Sequence, residues 1–173
     1  MLSSYIFLAR NFARITNQQT LESESRRTLA TFAKDVEAAS GISGTPSNSA
    51  VTFILPTTTG ATTTVAYAYD STAGTFTRTP SGGSALVLLR NITDNNASTT
   101  ADLYIRYYDG TTENHPFDNG SSPYTTITTY ATSIRQVSLQ FSTQLGVSAS
   151  GTRTAVYQAG TGRLLIRNGT LLQ

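Results

Sequence analysis

Residues 2–40, LSSYIFLARNFARITNQQTLESESRRTLATFAKDVEAAS, contain neither proline nor glycine. Nothing local interrupts a helix before Ser40-Gly41 supplies a stop. At 3.6 residues per turn the stretch divides into two halves. Leu21, Leu29, Phe32, Ala33, Val36 and Ala39 fall on one stripe, the pattern of a helix lying on a core. Leu2, Tyr5, Ile6, Phe7 and Leu8 point around the whole circumference, and Phe12 and Ile15 prolong the apolar character. A helix end that is apolar on every side is poorly solvated, so it is expected in a bilayer, against other subunits, or at an end from which a longer apolar segment was removed. A helix running to Ser40 is about 57 Å long at 1.5 Å per residue. That exceeds the diameter of a domain of 173 residues, so one end must protrude, and the apolar end is the candidate.

The length suits one domain, with residues 1–40 as the helix and 41–173 as a β-rich head. Cysteine is absent, which excludes a disulfide framework, a thiolate nucleophile and any Cys-based zinc site. The formal charge is only +2, and Lys34 is the sole lysine among singly scattered arginines, a distribution that gives no basic stripe for nucleic acid. Low charge density with abundant Thr and Ser fits a secreted or surface-exposed β protein. The apolar opening is too short for a bilayer span, which needs about 20 apolar residues, and it is followed at once by Arg10 and Arg14 rather than a cleavage site. Within the helix, Glu22–Arg26 and Glu24–Arg27 are spaced for exposed ion pairs. Asp35 and Glu37 oppose the helix dipole, with Lys34 the only nearby compensation.

Beyond Gly41 the period changes from 3.6 to 2. Strands are expected at 51–55, 62–69, 75–79, 85–92, 103–108, 134–143, 152–158 and 163–167, each bounded by Gly, Pro, Asn or Asp. Val65, Tyr67 and Tyr69 share one face of a half-buried antiparallel strand, and Asp70-Ser71-Thr72-Ala73-Gly74 reads as the hairpin turn that returns through Phe76 and Arg78. The expected fold is α+β, a long N-terminal helix packed on an antiparallel sheet.

The chemistry-bearing residues are few. His115, the only histidine, stands in a Glu-Asn-His-Pro-Phe-Asp run with no Gly-x-Ser-x-Gly elbow, and a surface-loop histidine is the favoured reading. Asp109, Glu113 and Asp118 are weak calcium candidates, since hard cations favour carboxylates in a loop. Their spacing does not match an EF-hand, and turn-forming residues are the simpler reading. Tyr67, Tyr69, Tyr104, Tyr107 and Tyr108 suit either an aromatic ligand face or core-edge packing, with packing favoured. No catalytic residue, resident metal or cofactor is implied.

Taken in order, these pieces resemble the type IV pilin-like superfamily, most closely the J-type minor pseudopilins of type II secretion systems and the related minor pilins. The resemblance is carried by the helix from Gln18-Gln19 through Arg26-Arg27-Thr28-Leu29 to Phe32-Ala33-Lys34-Asp35-Val36-Glu37-Ala38-Ala39. It continues in the tyrosine-rich hairpin with Gly74, Phe76 and Arg78, in Leu88-Leu89-Arg90-Asn91-Ile92-Thr93, in 103–110, in Ile134-Arg135-Gln136-Val137, and in the closing Leu165-Ile166-Arg167-Asn168. It implies a pilin-like head and a non-enzymatic structural subunit that takes part in assembly or tip priming of a pseudopilus or pilus-like filament. Leu2, Tyr5, Ile6, Phe7, Leu8, Phe12 and Ile15 are then the filament or membrane contacts, and Leu21, Leu29, Phe32 and Val36 pack the helix on the head. The implied partners are other pilin-like subunits and the inner membrane, in a bacterial envelope with the head facing the periplasm or in an external filament. The family's basic leader, cleavage site and nearby glutamate are not in this sequence, so about twenty further apolar residues are expected upstream of Met1. The alternative is an adhesin-like β-domain that binds a glycan or another surface ligand and uses the helix as a stalk.

Overall fold

A computed structural model describes residues 2–92, 103–108, 113–114, 134–146 and 154–166, with backbone alone at 2–5, 10, 113–114, 146 and 154–156. Helix α1 runs unbroken over Leu2–Ala38, about 55 Å at 1.5 Å per residue. It stops two residues earlier than the Ser40-Gly41 signal suggests. The Ala39 amide closes a tight turn on the Val36 carbonyl, and the Ser40 amide already bonds the Ile54 carbonyl of the first sheet. Gly41 opens strand β1 instead of capping the helix.

Strands β1 (Gly41–Ser43), β2 (Ala50–Pro56), β3 (Thr62–Asp70), β4 (Thr75–Pro80) and β5 (Leu86–Leu89) form an antiparallel meander in sequence order. The second sheet contains β6 (Leu103–Tyr108), β7 (Glu113–Asn114), β8 (Gln136–Gly146), β9 (Thr154–Gly160) and β10 (Leu164–Leu165). Here β8 is the centre: β6 pairs with one side and β9 and β10 with the other, while β7 extends the sheet beyond β6. The single sheet expected is therefore two, joined along one seam. The Ile92 amide bonds the Gly74 carbonyl, the Gln144 amide bonds the Asn91 carbonyl, and Ile92 bridges Thr143. The Ile105 amide bonds the Asn48 carbonyl, and the Tyr107 hydroxyl donates to the Ser47 carbonyl at 2.6 Å.

The alternation read from the sequence sets which side chains enter the core. Val51, Phe53, Val65, Tyr67 and Phe76 come from the first sheet, and Leu103, Ile105, Tyr107, Val137, Leu139 and Phe141 from the second, all meeting Phe32, Val36 and Ala39 of the helix in one cluster. Opposite faces of the first-sheet strands carry Thr52, Thr64, Thr77 and Thr79, half-buried, as a period of two requires. The 70–74 turn forms as expected. The Asp70 carboxylate accepts from the Thr72 and Ala73 amides at 2.8 and 3.0 Å, an Asx turn, and Gly74 closes it at φ +60°.

Candidate functional site

The helix divides sharply at Leu21. From there to its end, the face toward the sheets is buried at Leu21, Ser25, Thr28, Phe32, Asp35 and Val36, and Ala39, just past the last helical residue, continues it. Leu29 and Ala33, expected within that stripe, lie half-buried at its margin, with Leu29 packed against the core. Sequence reading found the apolar members and missed Ser25, Thr28 and Asp35, because periodicity counts apolar residues and gives polar ones no inward weight.

Asp35 is the principal correction. Its opposition to the dipole is answered by strands β3 and β4 rather than by Lys34, which is exposed. Arg78 grips the carboxylate with two nitrogens, Nε to Oδ2 at 2.6 Å and Nη2 to Oδ1 at 3.3 Å, and the Tyr67 hydroxyl donates to Oδ2 at 2.7 Å. The side chains are only 9 % (Asp35) and 23 % (Arg78) exposed, so the pair operates in a poorly hydrated setting where charge-assisted bonds are strong. Burial, with the bond to Asp35 as the second cause, pushes the Tyr67 hydroxyl far above its ordinary range. The same carboxylate raises the Arg78 guanidinium against the opposing effect of burial. Both groups stay in the protonated forms that bind Asp35.

Around this polar clasp the aromatic rings interlock. Phe32 meets Phe53 and Tyr67 edge-on at 5.7 and 5.1 Å between centroids, and Tyr67 stacks on Phe76 at 5.6 Å, geometries that favour the ring quadrupoles. One turn before Phe32, the Thr28 hydroxyl lies within reach of the Glu24 carbonyl of its own helix and the Leu88 carbonyl of β5, at 2.8 and 3.0 Å. The helix thus covers part of the outer edge of β5, and Glu24, Arg27, Leu86, Leu88 and Arg90 line a shallow groove there. Glu22 and Arg26 form the exposed ion pair that their spacing suggests.

N-terminal to Leu21 the helix has little cover. Ile6, Phe7, Leu8, Phe12 and Ile15 are 47, 69, 53, 61 and 53 % exposed, so five large apolar side chains face outward on about 28 Å of helix over residues 2–20. Leu2 and Tyr5 belong to the same helical segment by backbone.

Compared with known proteins, the chain matches no family model, no curated protein and no solved structure. The site is therefore defined by its own geometry: a projecting apolar rod whose root is clamped to a two-sheet head.

Asp109, Asp118 and His115 lie outside the described residues, and Glu113 is placed by backbone alone in β7. Among the described residues no three His, Cys, Asp or Glu side chains come together as a metal site. Of the tyrosines, Tyr67 and Tyr107 are core residues. Tyr108 is buried with the Arg163 guanidinium 4.1 Å over its ring, and Tyr104 carries Arg106 at 5.2 Å.

Proposed function

We propose that the protein is a non-enzymatic structural subunit of a pilin-like filament, a minor pseudopilin or minor pilin that takes part in assembly or tip priming at a bacterial envelope. One observation carries the reading. A single continuous helix is anchored at its C-terminal half in a β head and exposes large apolar side chains along its N-terminal half. In such a subunit the exposed half packs with the helices of neighbouring subunits or sits in the inner membrane, while the head faces outward. The partners are then chains of the same architecture, and the work is packing rather than catalysis.

An adhesin-like module is the weaker reading, because three of the five tyrosines available for a ligand face, Tyr67, Tyr107 and Tyr108, are buried, and the Tyr67 and Tyr107 hydroxyls are engaged within the fold.

The test is Phe7→Asp combined with Phe12→Asp in the native host. Both positions lie outside the head, so the thermal melting of the purified protein should stay within about 2 °C, as befits exposed sites. Filament formation or protein secretion should fall to the level of a deletion strain. Unchanged assembly together with normal expression would reduce the helix to a stalk and remove the proposal.

A further inference from the structure

Strand β5 ends the first sheet, and its sequence, Leu86-Val87-Leu88-Leu89, holds no charge and no proline. Sheets normally blunt such an edge with lysine, proline or a cover, because its unpaired amides and carbonyls are a template for another strand. Here the cover is partial. The Ser81 amide bonds the Thr64 carbonyl, so the alternation of an antiparallel ladder turns the backbone of Thr77 and Thr79 toward β3 and that of Phe76 and Arg78 toward β5. Leu89 and Leu86, the partners of Phe76 and Arg78, therefore face β4. Between them a bulge sets Val87 and Leu88 opposite the single Thr77, which leaves the Val87 backbone and the Leu88 carbonyl pointing outward. The Thr28 hydroxyl of α1 reaches the Leu88 carbonyl. The outward amide and carbonyl of Val87 have no such partner among the described residues. Beside them runs the groove that Glu24, Arg27, Leu86, Leu88 and Arg90 line. Leu86 is 49 % exposed, Arg27 and Arg90 are exposed and Glu24 is half-buried.

We propose that the outer edge of β5 receives an extended, acidic segment of a partner protein as a further strand of the first sheet. In strand addition the main-chain bonds supply affinity and the alternate side chains supply specificity. The incoming backbone closes on Val87. Its side chains on one side lie over the groove, where acids reach Arg27 and Arg90. Those on the other side continue the uncharged outer face on which Val87 pairs with Thr77 and Thr77 with Ala68. Charge complementarity selects the partner: the groove has two arginines against one glutamate, and neither arginine is held in an ion pair within the described fold. A second copy joined through the same edge would bring its own Arg27 and Arg90 to the groove. The surface lies on the head and involves none of the projecting half of α1, so the proposal stands or falls apart from the filament reading.

The probe is a short fluorescein-labelled peptide of alternating valine and glutamate, with its lysine counterpart and a copy N-methylated at the valines as controls. Each is titrated into the full chain by fluorescence anisotropy, and the bound state is mapped by two-dimensional NMR. The glutamate peptide should bind saturably, shift the Val87 and Leu86 amides and slow the exchange of the Val87 amide, while the lysine and N-methylated peptides should not bind. Arg27→Gln combined with Arg90→Gln should weaken binding roughly five- to ten-fold, as the loss of two exposed charge contacts does. Val87→Pro removes the outward donor at a position where an edge strand tolerates proline, and it should abolish binding with the melting temperature preserved. If that variant fails to fold, the N-methylated peptide tests the same main-chain bond on the unaltered protein. No binding by the glutamate peptide, equal binding by the lysine peptide, indifference to N-methylation, or shifts confined to residues away from β5 each overturns the proposal. So does sedimentation equilibrium that shows the free protein as a dimer abolished by Val87→Pro, since the occupant is then a second copy.

Discussion

Replacing Arg78 by Met tests what holds the helix to its head. Met keeps most of the length and apolar stem of Arg but removes the guanidinium, leaving the Asp35 carboxylate with only the Tyr67 hydroxyl of its present side-chain partners. Removing one member of a buried ion pair typically destabilises by about 3–5 kcal/mol, because the remaining charge is uncompensated. The Arg78 side chain is 23 % exposed, so water can reach the vacated space, and the low end, about 3 kcal/mol, is expected. For a chain of this size each kcal/mol shifts the melting temperature by roughly 2–4 °C, which gives a fall of roughly 6–12 °C. Thermal and urea unfolding followed by circular dichroism should report it. The second variant, Asp35→Asn in the Arg78→Met background, removes the stranded charge and should recover part of the loss. Such recovery distinguishes an electrostatic clasp from mere packing. A fall below 1 kcal/mol in the single variant, or a double variant as unstable as the sum of its parts, would refute the clasp.

Two further outcomes follow from the head. Tyr67 and Tyr107 have hydroxyls pushed well above their ordinary value by burial, so the folded state keeps protons that the unfolded state releases as pH rises through about 10. Their contribution is therefore complete below pH 10 and declines above it, and Tyr67→Phe should flatten the alkaline loss seen in urea melts between pH 9 and 11. At Gly74, φ is +60° and a Cβ would lie 2.9 Å from the Ile92 carbonyl oxygen. Gly74→Ala should cost about 1–3 kcal/mol from the left-handed conformation and the displaced backbone, and faster exchange of the Ile92 amide by NMR would locate the damage at the seam between the sheets.

The helix and most strands were legible because their signals are local. Thirty-nine residues without Gly or Pro, a 3.6-residue stripe ending in Phe32, Val36 and Ala39, and the switch to a period of two after Gly41 each act within a few residues. Where the sequence misled, the deciding partner was distant. The helix ends early because Ser40 bonds Ile54 across the first sheet. Strand β1 is only three residues long and exists through its pairing with β2, which no propensity signals. The expected 85–92 strand contracts to Leu86–Leu89 because Asn91 turns to φ +55° and Ile92 leaves for the seam. The division into two sheets depends on which strand edges meet. That is set by Ile92, the last residue of an expected strand, and by Gly74, Asn48 and Ser47, residues that look like loop punctuation in one dimension.

The candidate site shows the same boundary between local and distant information. Exposure of Ile6, Phe7, Leu8, Phe12 and Ile15 follows from helix length against domain size and could be foreseen. The clasp could not, because Asp35 beside Lys34 and Glu37 reads as a solvated charge in the last turns of a helix. Its place there has a consequence for the proposed role. A purely apolar interface between α1 and the sheets would tolerate sliding, since one aliphatic contact replaces another at little cost and the side chains of Val36 and Ala39 carry no directional bonds. Asp35 has one position in which both Arg78 and Tyr67 reach it, so a shift of one turn, about 5.4 Å, would leave a carboxylate and a guanidinium buried apart. Within a filament whose subunits are held by their helices, load on a head passes through the root of its own helix. A directional, charge-assisted clasp at that root fixes the register between the part that packs and the part that faces outward, which neither the apolar stripe nor the β head supplies alone.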